Sequence, residues 1–251
     1  MTGGFKDHFS AGASGYAAHR PSYPLALAEL LASLSPTRHR VWDAGCGSGQ
    51  LSTVLAEVFD EVAATDASAA QIAAATAHPR VHYAVAPAER SGLSDRSIDC
   101  AVAAQAAHWF ELDRYYVEVR RVTKPQGLIA LVTYNIMRVT DEVDWAILEF
   151  YAGPLEKHWP PERRLVEEGY RSLPFPFPEV KAPPLELNQR WTLAQMLGYV
   201  GSWSAVQSLR RAGGQAELER FASELQRAWG DPQTARDVRW PLTLRLGRVE
   251  M

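Results

Sequence analysis

The stretch Val41-Trp42-Asp43-Ala44-Gly45-Cys46-Gly47-Ser48-Gly49-Gln50 constrains the fold of this chain more than any other. A short apolar run ends in an acid, glycines alternate with small residues, and a helical pattern follows over Leu51–Phe59. Glycine reaches backbone conformations that a Cβ forbids, so this turn lets main chain approach a bulky ligand closely. It also leaves the first N–H groups of the next helix pointing outward.

The alternation of strand and helix continues downstream. Arg40–Ala44 is the first strand, Glu61–Thr65 the second, closed by Asp66, and Ser68–Thr76 an Ala-rich helix. Val81–Val85 is the third strand, and Ile98–Ala104 a fourth whose unbroken apolar run suits burial on both faces. A helix over Leu112–Val122, a turn at Lys124-Pro125-Gln126-Gly127 and a fifth strand, Leu128–Tyr134, follow. Upstream, Leu25, Leu27, Leu30, Leu31 and Leu34 mark a helix that Ser35-Pro36 ends.

After Tyr134 the pattern changes. Val143, Ile147 and Phe150 share one helical face, and Leu173-Pro174-Phe175-Pro176-Phe177-Pro178 cannot lie in a central strand. This segment is expected to be a lid packed over the C-terminal edge of the sheet. Leu185–Trp191 and Val238–Leu246 read as strands, with helices at Leu193–Val200, Ser204–Arg211 and Gln215–Trp229 between them. The pattern predicts an α/β protein with a seven-stranded, mostly parallel sheet, helices on both faces and a helical lid insertion. Its parts would be residues 1–36 (an N-terminal covering segment and helix), 37–136 (the binding core), 137–184 (the lid) and 185–251 (completion of the sheet).

The formal net charge of −3 and the absence of long lysine or arginine runs disfavour a nucleic-acid partner. Two cysteines, Cys46 and Cys100, give no disulfide framework and suit a reducing cytoplasm. No apolar run reaches membrane-spanning length, and the histidines show no metal-ligand spacing. A cytoplasmic monomer or homodimer with no metal is expected.

The dinucleotide fingerprint would need glycine at position 50, where Gln50 stands, and the Lys-Ser/Thr of a phosphate loop is missing. An acid beside a glycine turn suits a ligand carrying an amino acid and a cation better than one carrying a pyrophosphate. Asp66 is placed to bind both hydroxyls of a ribose, or alternatively to cap the helix after it. Ala86-Pro87-Ala88-Glu89 would meet an adenine or form a surface loop. Gln105-Ala106-Ala107-His108-Trp109-Phe110 lies at the ligand edge of the sheet, His108 being either a contact to substrate or cofactor or a structural histidine, Trp109 and Phe110 core or pocket wall.

Together, Val41–Gln50, Asp66, Ala88-Glu89, Gln105–Phe110 and Arg121-Val-Thr-Lys-Pro-Gln-Gly127 resemble the successive motifs of class I S-adenosylmethionine-dependent methyltransferases. Tyr16, Arg20-Pro21-Ser22-Tyr23-Pro24, the Gln-Ala-Ala-His-Trp-Phe run, Leu197–Val200, Ser202–Ala205 and Val238-Arg239-Trp240-Pro241-Leu242 are similar to the trans-aconitate methyltransferase-like branch. The resemblance implies a Rossmann-like fold and S-adenosylmethionine as cofactor, leaving S-adenosylhomocysteine. Gly45 and Gly47, with Cys46 and Gln50 in the same turn, would line the methionine moiety, and Asp43 would lie near its ammonium. Asp66 would bind the ribose with Ala67 beside the adenine, whose nitrogen edge would meet Ala88 and Glu89. Gln105 and Ala106 would border the sulfonium, and Tyr16, Arg20 and Tyr23 would close over the cofactor. Pro87 departs from the family pattern, which often has Asp there, and has neither N–H nor carboxylate.

The resemblance implies methyl transfer to a small-molecule acceptor, with O-methylation expected and a carboxylate the acceptor that needs no base. His108 and Tyr134, at the ends of the fourth and fifth strands, are the candidates for orientation or proton transfer. The Asp/Asn-Pro-Pro-Tyr signature of enzymes acting on nucleobase or glutamine-amide nitrogens is absent after the fourth strand. Arg138, Arg163, Arg164, Arg171, Arg210 and Arg211 are available to hold an anion. Two other readings stay open: a non-catalytic cofactor-binding regulatory protein on the same fold, and an NAD(P)-dependent oxidoreductase.

Overall fold

A computed structural model describes residues 21–250; Tyr16 and Arg20 lie outside the described residues. Strands β1 (Arg40–Ala44), β2 (Glu61–Asp66), β3 (Val81–Val85), β4 (Ile98–Ala104) and β5 (Thr123–Tyr134) run parallel in the order β3-β2-β1-β4-β5. Strands β6 (Glu179–Val180) and β7 (Glu186–Trp191) both pair antiparallel with β8 (Arg236–Arg248), which is itself antiparallel to β5. Among the described residues the sheet has eight strands; the two-residue β6 is the one without a sequence signal. Residues of β1, β2 and β4 are buried almost without interruption, because helices cover both faces, whereas β7 alternates as a strand covered on one face does.

Alternate side chains of the strands feed two separate cores. On one face, Val41, Val62 and Val102 pack under Leu27 and Leu31 of α1 (Leu25–Leu34) and Leu55 of α2 (Ser52–Leu55). On the other, Trp42, Ala101 and Ile129 pack under Tyr115 and Val119 of α4 (Leu112–Val122). A third core lies beyond β5. It joins α5 (Asp141–Ala152), α7 (Leu193–Gly201), α8 (Ser204–Arg211) and α9 (Gln215–Trp229) to Val238 and Trp240 of β8.

The structure differs from the sequence reading at several points. The helix over Leu51–Phe59 is regular only as far as Leu55; Glu57 and Val58 then close tight i→i−3 turns. The helix over Ser68–Thr76 shrinks to α3 (Ala69–Ala73), because Thr76 N–H turns back to donate to Ser48 O at 3.2 Å. Lys124–Gly127 belongs to β5 as a bulge, with Gln126 at φ 62°, between the pairs Ile98↔Thr123 and Cys100↔Leu128.

The Pro/aromatic run is not a lid over the C-terminal edge. Phe177 packs edge-on against Tyr116 of α4, ring centroids 5.2 Å apart, and a Cβ on Gly247 would meet Phe177 at 2.7 Å. Gly247 pairs with Ile129, so this run lies toward the start of β5. What approaches the C-terminal edge is the middle of the insertion, from Trp159 to Tyr170, including α6 (Arg163–Glu167).

Candidate active site

The strand order reverses between β1 and β4, so the loops leaving their C-terminal ends part and open a crevice. A cleft of about 830 Å³ occupies it. The cofactor-binding and catalytic residues expected from the sequence within residues 21–250 line this one cleft: Tyr23, then Asp43, Gly45, Cys46, Gly47 and Gln50 of the turn, Asp66 and Ala67, Ala88 and Glu89, Gln105 and Ala106, His108 and Tyr134.

The glycine turn has the backbone it needs. Gly45, Gly47 and Gly49 have φ of 69°, 55° and 89°, all left-handed. At Gly45 a Cβ would stand 2.7 Å from Ala106 Cβ and 3.0 Å from the Phe110 ring; at Gly49 it would run into the Tyr83 hydroxyl. Above Gly47 the space is open, with Gln50 Oε1 nearest at 3.6 Å, which is room for a ligand to approach main chain. Gly45 and Cys46 both donate N–H to Thr65 O, at 2.8 and 3.0 Å, tying the turn to the end of β2.

Asp66 completes that tie. Its Oδ2 accepts from Gly47 N–H at 2.9 Å and its Oδ1 from Ser68 N–H at 2.8 Å. A carboxylate offers about four acceptor positions, the chemistry that a pair of ribose hydroxyls would call on. Asp66 is not the cap of α3: that is Ser68, whose Oγ accepts from Gln71 N–H at 3.4 Å.

Asp43 is buried, and Ser52 Oγ donates to its Oδ2 at 2.6 Å. Burial pushes its pKa up to about 7, the Asp66 charge adding to the effect and the Ser52 bond opposing it. A cationic ligand group beside it would restore the carboxylate. Burial and the same Asp43 charge hold the Cys46 thiol well above the usual range. Gln71, buried on α3, also lines the cleft; its Oε1 has no hydrogen-bond partner, and no sequence motif marks it.

On the adenine side, Glu89 Oε1 accepts from Glu111 N–H at 2.8 Å, so one of its oxygens is committed to the start of α4. Gln105 sits at φ 52° just past β4. Its amide donates to Tyr134 O at 2.7 Å and accepts from Thr133 Oγ1 at 2.9 Å, so its side chain braces β4 against β5. Backbone and Ala106 are what it presents to the cleft.

His108 Nδ1 lies 2.7 Å from Tyr170 Oη, a buried residue held at φ 59°. Burial, with the positive charge of Arg163 added, lowers the His108 pKa to about 3, so the imidazole is neutral and weakly basic. Tyr134 stands edge-on to Tyr23 and Trp240, at centroid distances of 6.3 and 6.5 Å.

Past His108 the cleft continues into a pouch of about 90 Å³. Gln105, His108, Trp109 and Tyr134 wall both spaces; Asn135, Trp159, Arg163, Tyr199 and Trp203 wall the pouch alone. Of the six arginines named from the sequence, Arg163 is the one on this wall, whereas Arg138 and Arg164 pair outward with Asp144 and Glu168. Tyr170, Asn135 and Trp159 were not foreseen: Trp159 and Tyr170 belong to the insertion, which follows no motif, and Asn135 directly follows β5. Among the described residues, no group of three or more His, Cys, Asp or Glu could hold a metal, and no helix is long and apolar enough to cross a membrane.

Comparisons with known proteins agree with this geometry. A methyltransferase domain model matches residues 42–131. A solved structure from Anaeromyxobacter dehalogenans, assigned as a type II methyltransferase, is 52% identical with a TM-score of 0.87, over 92% of this chain and 98% of that one. A Dictyostelium discoideum protein assigned as a methyltransferase is 29% identical over 98% of this chain and 96% of its own length. The malonyl-[acyl-carrier protein] O-methyltransferase of Pectobacterium atrosepticum is 34% identical over 42% of this chain and 43% of its own. The oxidoreductase reading falls with these matches, as the missing glycine at Gln50 suggests. With its glycine turn, paired acids and switch-point cleft, the chain belongs to the class I S-adenosylmethionine-dependent methyltransferases.

Proposed function

We propose that the protein methylates an oxygen of a small molecule, the acceptor being a carboxylate. The observation that carries this reading is the neutral His108 on the wall shared by cleft and pouch, with a pKa held near 3. A base that weak is poorly matched to taking a proton from an alcohol or an ammonium, which favours an acceptor whose oxygen arrives already ionised. The size of the pouch, about 90 Å³, favours a small acceptor. The one relative above whose name states its acceptor is an O-methyltransferase. The Gln-Ala-Ala-His-Trp-Phe run over 105–110 supports a place in the trans-aconitate methyltransferase-like branch.

In this reading Asp43 and the turn from Gly45 to Gln50 hold the methionine end of the cofactor, and Asp66 the ribose. Ala67, Ala88 and Glu89 surround the adenine. The family's cofactor supplies an electrophilic methyl group; the protein's own task is alignment and exclusion of water. Tyr134, braced by Tyr23 and Trp240, and His108, fixed by Tyr170, orient the acceptor. Tyr16 and Arg20 would cover the cofactor from the N-terminal side.

The test is transfer of a labelled methyl group from S-adenosylmethionine to panels of small carboxylic acids, alcohols and amines. Base-labile esters from the acids are the expected product. Methylation confined to amines or alcohols would overturn the carboxylate assignment. Tight binding of both adenosyl compounds with no transfer to any panel would point to the non-catalytic binding protein instead.

A further inference from the structure

Arg163 is fixed in place by the protein alone. Its Nε donates to Tyr151 Oη at 2.7 Å and its Nη2 to Asn135 Oδ1 at 2.6 Å. The guanidinium lies over Trp159 and Tyr151, 5.0 and 5.4 Å from the ring centroids. Such a group loses little freedom when it binds, because its fork is already oriented.

What that fork still offers is specific. Nη1 has no partner among the described residues, and Nη2 keeps one N–H beyond the bond to Asn135. The acid nearest to it, Glu167, approaches from the Nε side at 4.0 Å and itself accepts from the Tyr151 hydroxyl. Nη1 and one N–H of Nη2 therefore remain as donors for an anion such as a carboxylate. Among the described residues, Arg163 is also the one permanently charged side chain on the pouch wall, which is otherwise largely aromatic.

We infer that Arg163 is the specificity-determining anchor of the acceptor, and that the acceptor is a small, flat organic acid with its carboxylate on the Nη edge and its body against Trp159 and Trp203. This rests on the carboxylate reading above and adds to it both the residue that selects the acid and the shape that the pouch accepts. Aromatic walls favour planar apolar groups, and a neutral isostere would leave the oriented guanidinium edge without its charged partner.

Benzoate and crotonate, each beside its neutral amide, are titrated calorimetrically into the protein saturated with S-adenosylhomocysteine. The acids should bind at least tenfold more tightly than benzamide and crotonamide. Arg163→Gln should remove that preference with S-adenosylhomocysteine affinity unchanged, and Arg163→Lys should restore only part of it. Equal binding of acids and amides by the wild-type protein overturns the inference, as does binding of neither acid, and these outcomes need no variant. Wild-type acid affinity in Arg163→Gln overturns it too. Failure of S-adenosylhomocysteine itself to bind would instead strike the methyltransferase site as a whole, so the two failures are told apart.

Discussion

Gly47 N–H donates to Asp66 Oδ2 at 2.9 Å, joining the loop after β1 to the end of β2 across 19 residues of sequence. The acid assigned to the ribose thus also holds the shape of the turn assigned to the methionine moiety. Asp66→Ala should lose both functions. We expect cofactor affinity to fall by about 1–3 kcal/mol, with a drop in thermal midpoint. Calorimetry with S-adenosylhomocysteine checks the first; an unchanged affinity would remove Asp66 from the binding site.

Asp43 predicts an unusual pH dependence of stability. Its pKa rises from 3.8 to about 7 on folding, so between those values the folded chain holds a proton that the unfolded chain has lost. This contribution to stability is present below about pH 4 and is lost as pH rises through 7. Asp43→Asn should flatten that slope, worth on the order of 1–3 kcal/mol between pH 5 and 8. Urea denaturation of the two proteins across this range is the measurement. Binding of a cationic cofactor should also release a proton near pH 6.5, visible as a buffer-dependent heat.

Two left-handed glycines separate backbone strain from crowding. Gly92 has φ 75° with nothing within 4 Å of a Cβ, whereas Gly45 has φ 69° with Ala106 at 2.7 Å. Gly92→Ala should cost about 1 kcal/mol. Gly45→Ala should cost about 1–3 kcal/mol beyond that and weaken cofactor binding, because Ala106 and Phe110 must move. Equal losses in chemical denaturation would mean that the contact at Ala106 relaxes freely.

With cofactor saturating, His108 should give the rate of methyl transfer no inflection near pH 6.5, since it is already neutral there and titrates near 3. His108 therefore disfavours protonation in the folded state, and its contribution to stability is lost as pH falls below about 6.5 toward 3. A kcat profile with a slope of one centred at pH 6–7, abolished in His108→Gln, would show a working base and refute the neutral-imidazole account. Tyr170→Phe should lower kcat more than cofactor affinity, by releasing the ring at Nδ1.

Local chemistry made the cofactor half of the molecule legible. Strands β1, β3 and β4 carry the bounds read from the sequence; β1 and β4 are nearly continuous apolar runs because both their faces are covered, whereas β3 is an edge strand and largely exposed. The residues read from the glycine turn, Asp66 and the loop at Gln105 meet in one cleft, since short loops leave a switch point little freedom. Past Tyr134 the signal is tertiary. Arg163 could be named only as one of six arginines, and Tyr170, its φ of 59° unmarked in the sequence, reaches His108 across 62 residues. The Pro/Phe run was recognisable as non-strand, but which surface would cover Phe177 was set by Tyr116 on a distant helix.

Cys46 shows a different demand on such a site. A pocket that houses an alkylating agent must not offer it a nucleophile better than the intended acceptor, and a thiolate is a better nucleophile than any carboxylate. Here the thiol lies in the very turn that lines the cleft, with Asp43 as its negative neighbour, and burial keeps it protonated. Burial is the larger cause, and the Asp43 carboxylate, when ionised, adds to it. Seclusion from water thus gives the site its chemical self-protection, with the acid that would attract the cofactor's cationic end as an added restraint.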